Sequence, residues 1–132
     1  TILKSSDEFT ILAPCKNKTL YAINESGFEK FSIEFEHAIS TSASILDYQN
    51  LITIFVGLNN GDIYGFYENG DINYFFNIQS KVIGEIIFSD VNIDGEPEII
   101  AVNDIGQLHV LNLDGTSLVN FPINYKNYKY EH

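Results

Sequence analysis

One nine-residue segment, 90–98, combines oxygen-bearing side chains with a residue suited to a sharp turn. Carboxylates and an amide stand at positions 1, 3, 5 and 9 of this segment, as Asp90, Asn92, Asp94 and Glu98. Gly95 stands at position 6, where a curling loop turns sharply, and the backbone carbonyl of Glu96 follows it. Alternate residues of such a loop point toward one centre, so we expect these oxygens to surround a cation.

The chemistry of these ligands favours Ca²⁺, which accepts roughly six to eight oxygen ligands in flexible geometry, over Mg²⁺, which demands a stricter octahedron. The carboxylates repel one another unless a cation lies between them, and the segment contains no Lys. The segment is not an EF-hand, because position 12 is Ala101 rather than a bidentate Glu. Two alternatives remain: a solvated acidic turn without metal, and a Glu98 that begins the next strand and points away.

The segment belongs to the third of three internal repeats. Gly27, Gly70 and Gly115 are 43 and 45 residues apart, and Ile11, Ile54 and Ile99 recur at the same two spacings. The third repeat carries two extra residues between Asp90 and Ile99, which accounts for the longer spacing. The predicted repeat bounds are 1–43, 44–86 and 87–132, with the Ca²⁺-type loop inside the third repeat.

Each repeat is predicted to form four short strands. In the middle repeat they cover about 44–48, 52–57, 62–67 and 73–78, segments rich in Ile, Phe, Tyr and Val. Asn-Gly and Asp-Gly pairs, which tolerate the positive φ angles of tight hairpins, separate the strands. The segment 52–56 is apolar at nearly every residue, which indicates a strand buried on both faces. These features predict an all-β, β-propeller-like segment of three four-stranded antiparallel blades, with a β-sandwich as the alternative.

Three blades alone would leave two apolar faces in water, because closed propellers contain about four to eight blades. We therefore expect either that the chain is a segment of a longer ring or that several copies complete a ring. The absence of Met from the sequence favours the first interpretation.

Composition limits the classes of partner. The chain has 132 residues, sufficient for one domain, with 18 acidic residues, 7 Lys or Arg and a formal charge of −11. This charge argues against nucleic acid and anionic membrane surfaces as partners. No apolar run approaches the roughly 20 residues of a membrane-spanning helix, so membrane insertion is not expected.

The third repeat resembles the FG-GAP or VCBS-type repeats of integrin α-subunit heads and bacterial surface proteins. The resemblance lies in 90–100, 106–115 and 121–123. It implies a Ca²⁺ ion held by Asp90, Asn92, Asp94, Glu98 and the carbonyl of Glu96. The other two repeats lack this loop, and the Phe-Gly and Gly-Ala-Pro signatures are missing, so one Ca²⁺ per three blades is expected.

The predicted function is that of a non-catalytic, Ca²⁺-stabilised binding or adhesion module in a secreted or cell-surface protein. Its ligand would be a protein or a carbohydrate. One alternative is a fragment of a propeller enzyme, such as a polysaccharide lyase or a quinone-type dehydrogenase. Another is a metal-free scaffold that resembles outer-membrane assembly lipoproteins. His109 is expected to fill a packing position on the third strand of its repeat, equivalent to Tyr21 and Tyr64.

Overall fold

The computed structural model describes residues 1–5 and 8–125, without the side chain of Ser5. Residues 126–132, predicted to end the third repeat, lie outside the described part of the chain. The described residues form twelve β-strands and no helix. None of them therefore belongs to a helix of the length and apolarity needed to cross a membrane.

The strands form three four-stranded antiparallel sheets, each in the order of the sequence. Blade 1 consists of β1 (Ile2–Ser5), β2 (Glu8–Pro14), β3 (Thr19–Asn24) and β4 (Glu29–Glu34). Blade 2 consists of β5 (Ser44–Tyr48), β6 (Leu51–Gly57), β7 (Asp62–Tyr67) and β8 (Ile72–Asn77). Blade 3 consists of β9 (Val82–Ser89), β10 (Glu98–Asn103), β11 (Gln107–Leu111) and β12 (Ile123–Asn124). Three stacked sheets confirm the all-β prediction of three four-stranded blades and differ from the two sheets of a sandwich.

Blade 2 follows the predicted strands to within one residue at each end. Blade 3 differs, because β9 begins at Val82, ahead of residue 87, where the third repeat was predicted to start. The early start arises from pairing with β10, in which Val82 lies opposite Asn103 and Ile83 opposite Val102. An irregularity in register between Ile100 and Val102 accommodates the extra length of β9.

Two hydrophobic seams hold the three blades together. Blades 1 and 2 meet in seam 1, which includes Leu12, Leu20, Ala22, Ile54, Val56 and Phe66. Blades 2 and 3 meet in seam 2, which includes Phe55, Ile63, Phe76, Ile86, Ile99 and Ala101. Ile54 and Phe55 are consecutive, both 0% exposed, and belong to opposite seams. The apolar run of β6 therefore reflects burial on both faces, as the sequence predicted.

Gly65 makes room for the fully buried ring of Phe55 in seam 2. It lies opposite Phe55 in the pairing of β6 with β7, and a Cβ at residue 65 would lie 2.6 Å from the Phe55 ring. The Phe55 ring packs at centroid distances of 5.7 Å from Tyr74 and 5.1 Å from Phe88. A glycine within a strand thus serves aromatic packing between two blades.

Candidate metal centre

The acidic segment forms the connection between β9 and β10. Glu98, the first residue of β10, pairs with Ser89, the last residue of β9, so residues 90–97 form a loop at the end of this hairpin. Blade 2 has only Gln49 and Asn50 at the same place, both with positive φ, 52° and 61°. Blade 3 therefore replaces a two-residue turn with a loop rich in carboxylates.

Asp90 organises this loop from its first position. Its Oδ1 accepts a hydrogen bond of 3.0 Å from the backbone N–H of Asp94, and its Oδ2 accepts one of 2.8 Å from the N–H of Gly95. Asp94 Oδ1 in turn accepts a 2.9 Å bond from the N–H of Glu96. Gly95 has φ 89°, a conformation that other residues rarely adopt. These bonds curl the loop back toward Asp90.

Glu98 lies beneath the loop and is 1% exposed. Its Oε2 accepts a 3.0 Å hydrogen bond from the backbone N–H of Val91, on the opposite side of the loop. Its Oε1 is buried and has no hydrogen-bond partner. A buried carboxylate oxygen without a partner is costly, because it has lost its hydration without receiving a replacement.

The three carboxylates of Asp90, Asp94 and Glu98 converge, each with one oxygen within 4.8 Å of the others. Oxygens that share one Ca²⁺ at about 2.4 Å can be separated by at most about twice that distance, so the cluster is compact enough for a single ion. Among the described residues, the one salt bridge joins Lys30 to Glu8 in blade 1. No described Lys therefore forms a salt bridge with the three carboxylates of the cluster.

The predicted ligands occupy different environments. The converging group contains the exposed Asp90 and Asp94 and the buried Glu98, and Asn92 and Glu96 are further exposed residues of the same loop. Glu98 does begin a strand, as the alternative interpretation allowed, but its carboxylate reaches back to Val91 instead of pointing away. The backbone N–H of Val91 is a site contact that side-chain patterns could not reveal.

A second concave region lies between blades 2 and 3, with a volume of about 320 Å³. Its lining includes Phe75, Asn77, Gln79, His109 and Ser117. His109 is buried, its Nε2 lies 3.3 Å from Gln107 Oε1, and burial lowers the pKa of its imidazole. This packing agrees with the predicted structural role of His109, while the cleft around it was not predicted from the sequence.

Comparison with known proteins identifies the fold. BamB from Moraxella catarrhalis superimposes with a TM-score of 0.70 and 13% identity, over 97% of this chain and 36% of BamB. BBS1N, solved in complex with ARL6DN, gives a TM-score of 0.69 and 16% identity, over 86% of this chain and 36% of BBS1N. A protein of unknown function from Bacteroides caccae gives 0.57 and 14%, over 89% of this chain and 42% of its own. The chain is a β-propeller-like segment.

These comparisons establish the fold of the chain but assign it to no family. No family model matches the sequence, and no curated protein matches it. The chain spans about a third of the length of BamB and BBS1N, both of which are β-propeller proteins. The identities of 13–16% to these two proteins indicate the shared fold alone.

Proposed function

We propose that this chain is a Ca²⁺-stabilised β-propeller segment that acts as a non-catalytic binding or adhesion module in a secreted or cell-surface protein. The observation that carries the metal site is the buried, unpartnered Oε1 of Glu98, which lies in the same compact group as Asp90 and Asp94. A cation at this point supplies the missing partner of Oε1 and neutralises the three carboxylates.

The donor set favours Ca²⁺ over transition metals. The group consists of carboxylate oxygens, without His or Cys, and hard oxygen ligands select hard cations. Asn92 and the carbonyl of Glu96, in the same loop, are the further ligands that the FG-GAP or VCBS resemblance implies. Exposure of Asp90 and Asp94 leaves room for water ligands and suits the weak affinity, on the order of 10⁻⁴–10⁻³ M, of extracellular Ca²⁺ modules.

The proposed role of the ion is structural. Asp90 precedes the loop and Glu98 follows it, so only the paired β9–β10 hairpin brings their carboxylates together. An ion that binds this arrangement binds the folded chain and not the unfolded one, and it stabilises the fold by mass action. It also fixes the conformation of the loop at the edge of blade 3.

The binding role rests on the kind of surface that a propeller presents. Loops on a rigid β-scaffold commonly carry recognition residues, and the structurally similar BBS1N was solved in complex with ARL6DN. Among the described residues, His, the residue type most often used as a catalytic base, occurs at His37, exposed between β4 and β5, and at His109, buried beside Gln107. We therefore assign no reaction to this chain and propose a protein or carbohydrate ligand.

Thermal unfolding in a Ca²⁺ titration tests the metal site. Starting from protein treated with EGTA, millimolar Ca²⁺ should raise the melting temperature, and Mg²⁺ at the same concentration should raise it less. An Asp94→Asn variant should show a reduced Ca²⁺ response, and Asp71→Asn, in the β7–β8 turn of blade 2, serves as its control. An unchanged melting temperature of the wild-type chain in EGTA and in excess Ca²⁺ would contradict the proposal.

The binding role needs a separate measurement. The Ca²⁺-loaded chain, labelled at its N-terminus, should bind a subset of glycans on an array or a subset of purified cell-surface proteins. Binding should decrease when EGTA releases the loop. Turnover of a polysaccharide substrate by this chain would contradict the non-catalytic assignment.

A further inference from the structure

The cleft between blades 2 and 3 adjoins a place where an aromatic pair of seam 1 has smaller equivalents. In seam 1 the rings of Phe35 and Tyr64 pack at a centroid distance of 5.1 Å. Ile78 stands 43 residues after Phe35, and each donates its backbone N–H to the residue that precedes the third strand of its blade. His109 stands 45 residues after Tyr64. Ile and His therefore replace Phe and Tyr beside this cleft, whose volume is about 320 Å³.

The outer strand of blade 3 is too short to cover the cleft. β12 has two residues, whereas β4 and β8 have six each. β12 pairs with Gln107 and Leu108, and further along β11 an isolated bridge joins Leu111 to Ser117. The side of β11 that contains His109 is therefore reached from solvent through the cleft. The cleft lies between two described blades, so the outer faces of blades 1 and 3 take no part in it.

Three neutral polar groups of the cleft have no hydrogen-bond partner among the described residues: Nδ1 of His109, the side-chain amide of Gln79 and the hydroxyl of Ser117. His109 is 5% exposed, and its Nε2 lies 3.3 Å from Gln107 Oε1, which also accepts a 2.8 Å bond from Asn103. Because a carbonyl oxygen accepts, Nε2 carries the proton and Nδ1 is an acceptor. Burial lowers the pKa of this imidazole, which keeps it neutral at neutral pH.

The cleft carries no charge in a strongly acidic chain. None of its nine lining residues is Asp, Glu, Lys or Arg, although the formal charge of the chain is −11. The buried side chains of Phe76 and Leu111 supply apolar surface beside the polar groups. The volume is at the lower end of the roughly 300–1,000 Å³ range of small-molecule sites. The matching ligand is small and uncharged, with an apolar face and with groups that both donate and accept hydrogen bonds.

We propose that this cleft binds a neutral saccharide unit. Sugar hydroxyls both donate and accept, as Nδ1 of His109, the amide of Gln79 and the hydroxyl of Ser117 require. The C–H face of a sugar ring suits the apolar surface of Phe76 and Leu111. This inference rests on the proposed function, because it selects carbohydrate as the ligand of the binding module and gives its site.

An extended peptide fits this place less well. A bound strand takes its affinity from main-chain hydrogen bonds to a free sheet edge. Beside the cleft the edge of β11 is already occupied, because the carbonyl of Val110 accepts a 2.9 Å bond from the N–H of Leu118. Side-chain groups that suit hydroxyls therefore remain as the binding groups of the cleft.

Saturation-transfer NMR and calorimetric titration test this site. The Ca²⁺-loaded chain is mixed with the methyl glycosides of glucose, galactose, mannose, fucose and N-acetylglucosamine, and with that of glucuronic acid as a charged counterpart. Gln79→Ala removes one proposed contact. Gln49→Ala is its matched control, because both glutamines are exposed and have positive φ, 76° and 52°. His109→Tyr introduces the residue type of Tyr64 and fills the cleft.

At least one neutral glycoside should bind the wild-type chain and Gln49→Ala equally. Gln79→Ala should weaken this binding about 3- to 10-fold, the effect of one lost hydrogen bond. His109→Tyr should abolish it in a chain that circular dichroism shows to be folded. In the wild-type chain, the nitrogen resonance of His109 Nδ1 should shift when the glycoside binds.

Unchanged affinity in Gln79→Ala and in folded His109→Tyr would overturn the cleft as the site and leave a binding module whose ligand lies elsewhere. If His109→Tyr does not fold, Gln79→Ala alone decides. Absence of binding by every neutral glycoside, or tighter binding of the glucuronide, would overturn the saccharide assignment. The Ca²⁺-dependent rise in melting temperature is measured separately, so failure of this inference is distinguishable from failure of the proposed function.

Discussion

Replacement of Glu98 by Gln should change stability in opposite directions with and without Ca²⁺. In the absence of a cation, the wild-type chain buries a carboxylate whose Oε1 has no partner. Such a group costs about 1–3 kcal/mol. The Gln amide removes the charge, keeps an oxygen for the N–H of Val91, and places a donor near the carboxylates of Asp90 and Asp94. In EGTA we therefore expect the variant to be more stable, by about 1–3 kcal/mol.

Saturating Ca²⁺ should reverse this order. A ligand that binds only the folded state adds about 2.7 kcal/mol of stability at a free concentration 100 times its dissociation constant. The wild-type chain should receive this increment, whereas the neutral amide of the variant is a poorer Ca²⁺ ligand and should receive little of it. The stabilities of the two proteins should thus cross within the titration.

Urea unfolding followed by circular dichroism, in EGTA and at several Ca²⁺ concentrations, measures both effects. Glu25→Gln is the control, because it removes the same charge from an exposed turn of blade 1. A Glu98→Gln variant that is less stable in EGTA would refute the idea that Oε1 lacks a partner. A variant with the full Ca²⁺ response would refute the assignment of Glu98 as a ligand.

Three further changes probe other parts of the molecule. Gly65→Ala should destabilise the chain by about 1–3 kcal/mol in urea melts, because its Cβ meets the Phe55 ring, and Phe55→Leu should relieve part of this loss in the double variant. Burial lowers the pKa of His109 below its usual 6.5, so the unfolded chain binds a proton more readily than the folded chain. The free energy of unfolding should therefore decrease as pH falls through about 6.5, and this decrease should be smaller in His109→Gln. Asp90→Ala should lower stability in EGTA by about 1 kcal/mol through two lost acceptors and abolish the Ca²⁺-dependent rise in melting temperature.

The fold could be predicted from the sequence because its repeats and its burial pattern are local signals. Ile54 and Phe55 illustrate this: two adjacent apolar residues in a strand bounded by turns indicate two covered faces, and each enters a different seam. The glycines at 43 and 45 residue intervals gave the number of blades. The positive φ of Gly70, 90°, agrees with the tight hairpin that its Asn-Gly pair predicted.

The details of the site depended on geometry that the pattern does not contain. Alternation of residues along the loop predicts that Asp90 and Asp94 point toward one centre, but it does not decide whether Glu98 points toward them. That orientation depends on the pairing of Glu98 with Ser89 and on the N–H of Val91. The early start of β9 likewise arises from an irregularity in pairing rather than from residue types.

The equivalent hairpins of blades 2 and 3 differ greatly in length, yet their strands keep the same partners. Gln49 and Asn50 connect one pair of strands and residues 90–97 connect the other, while Ile54 and Ile99 both remain fully buried. The longer connection in blade 3 is exposed to solvent, and the packing of the equivalent isoleucine between blades is the same with either connection. The scaffold can thus carry a long acidic loop on one blade and a two-residue turn on the next without any change in this packing between blades.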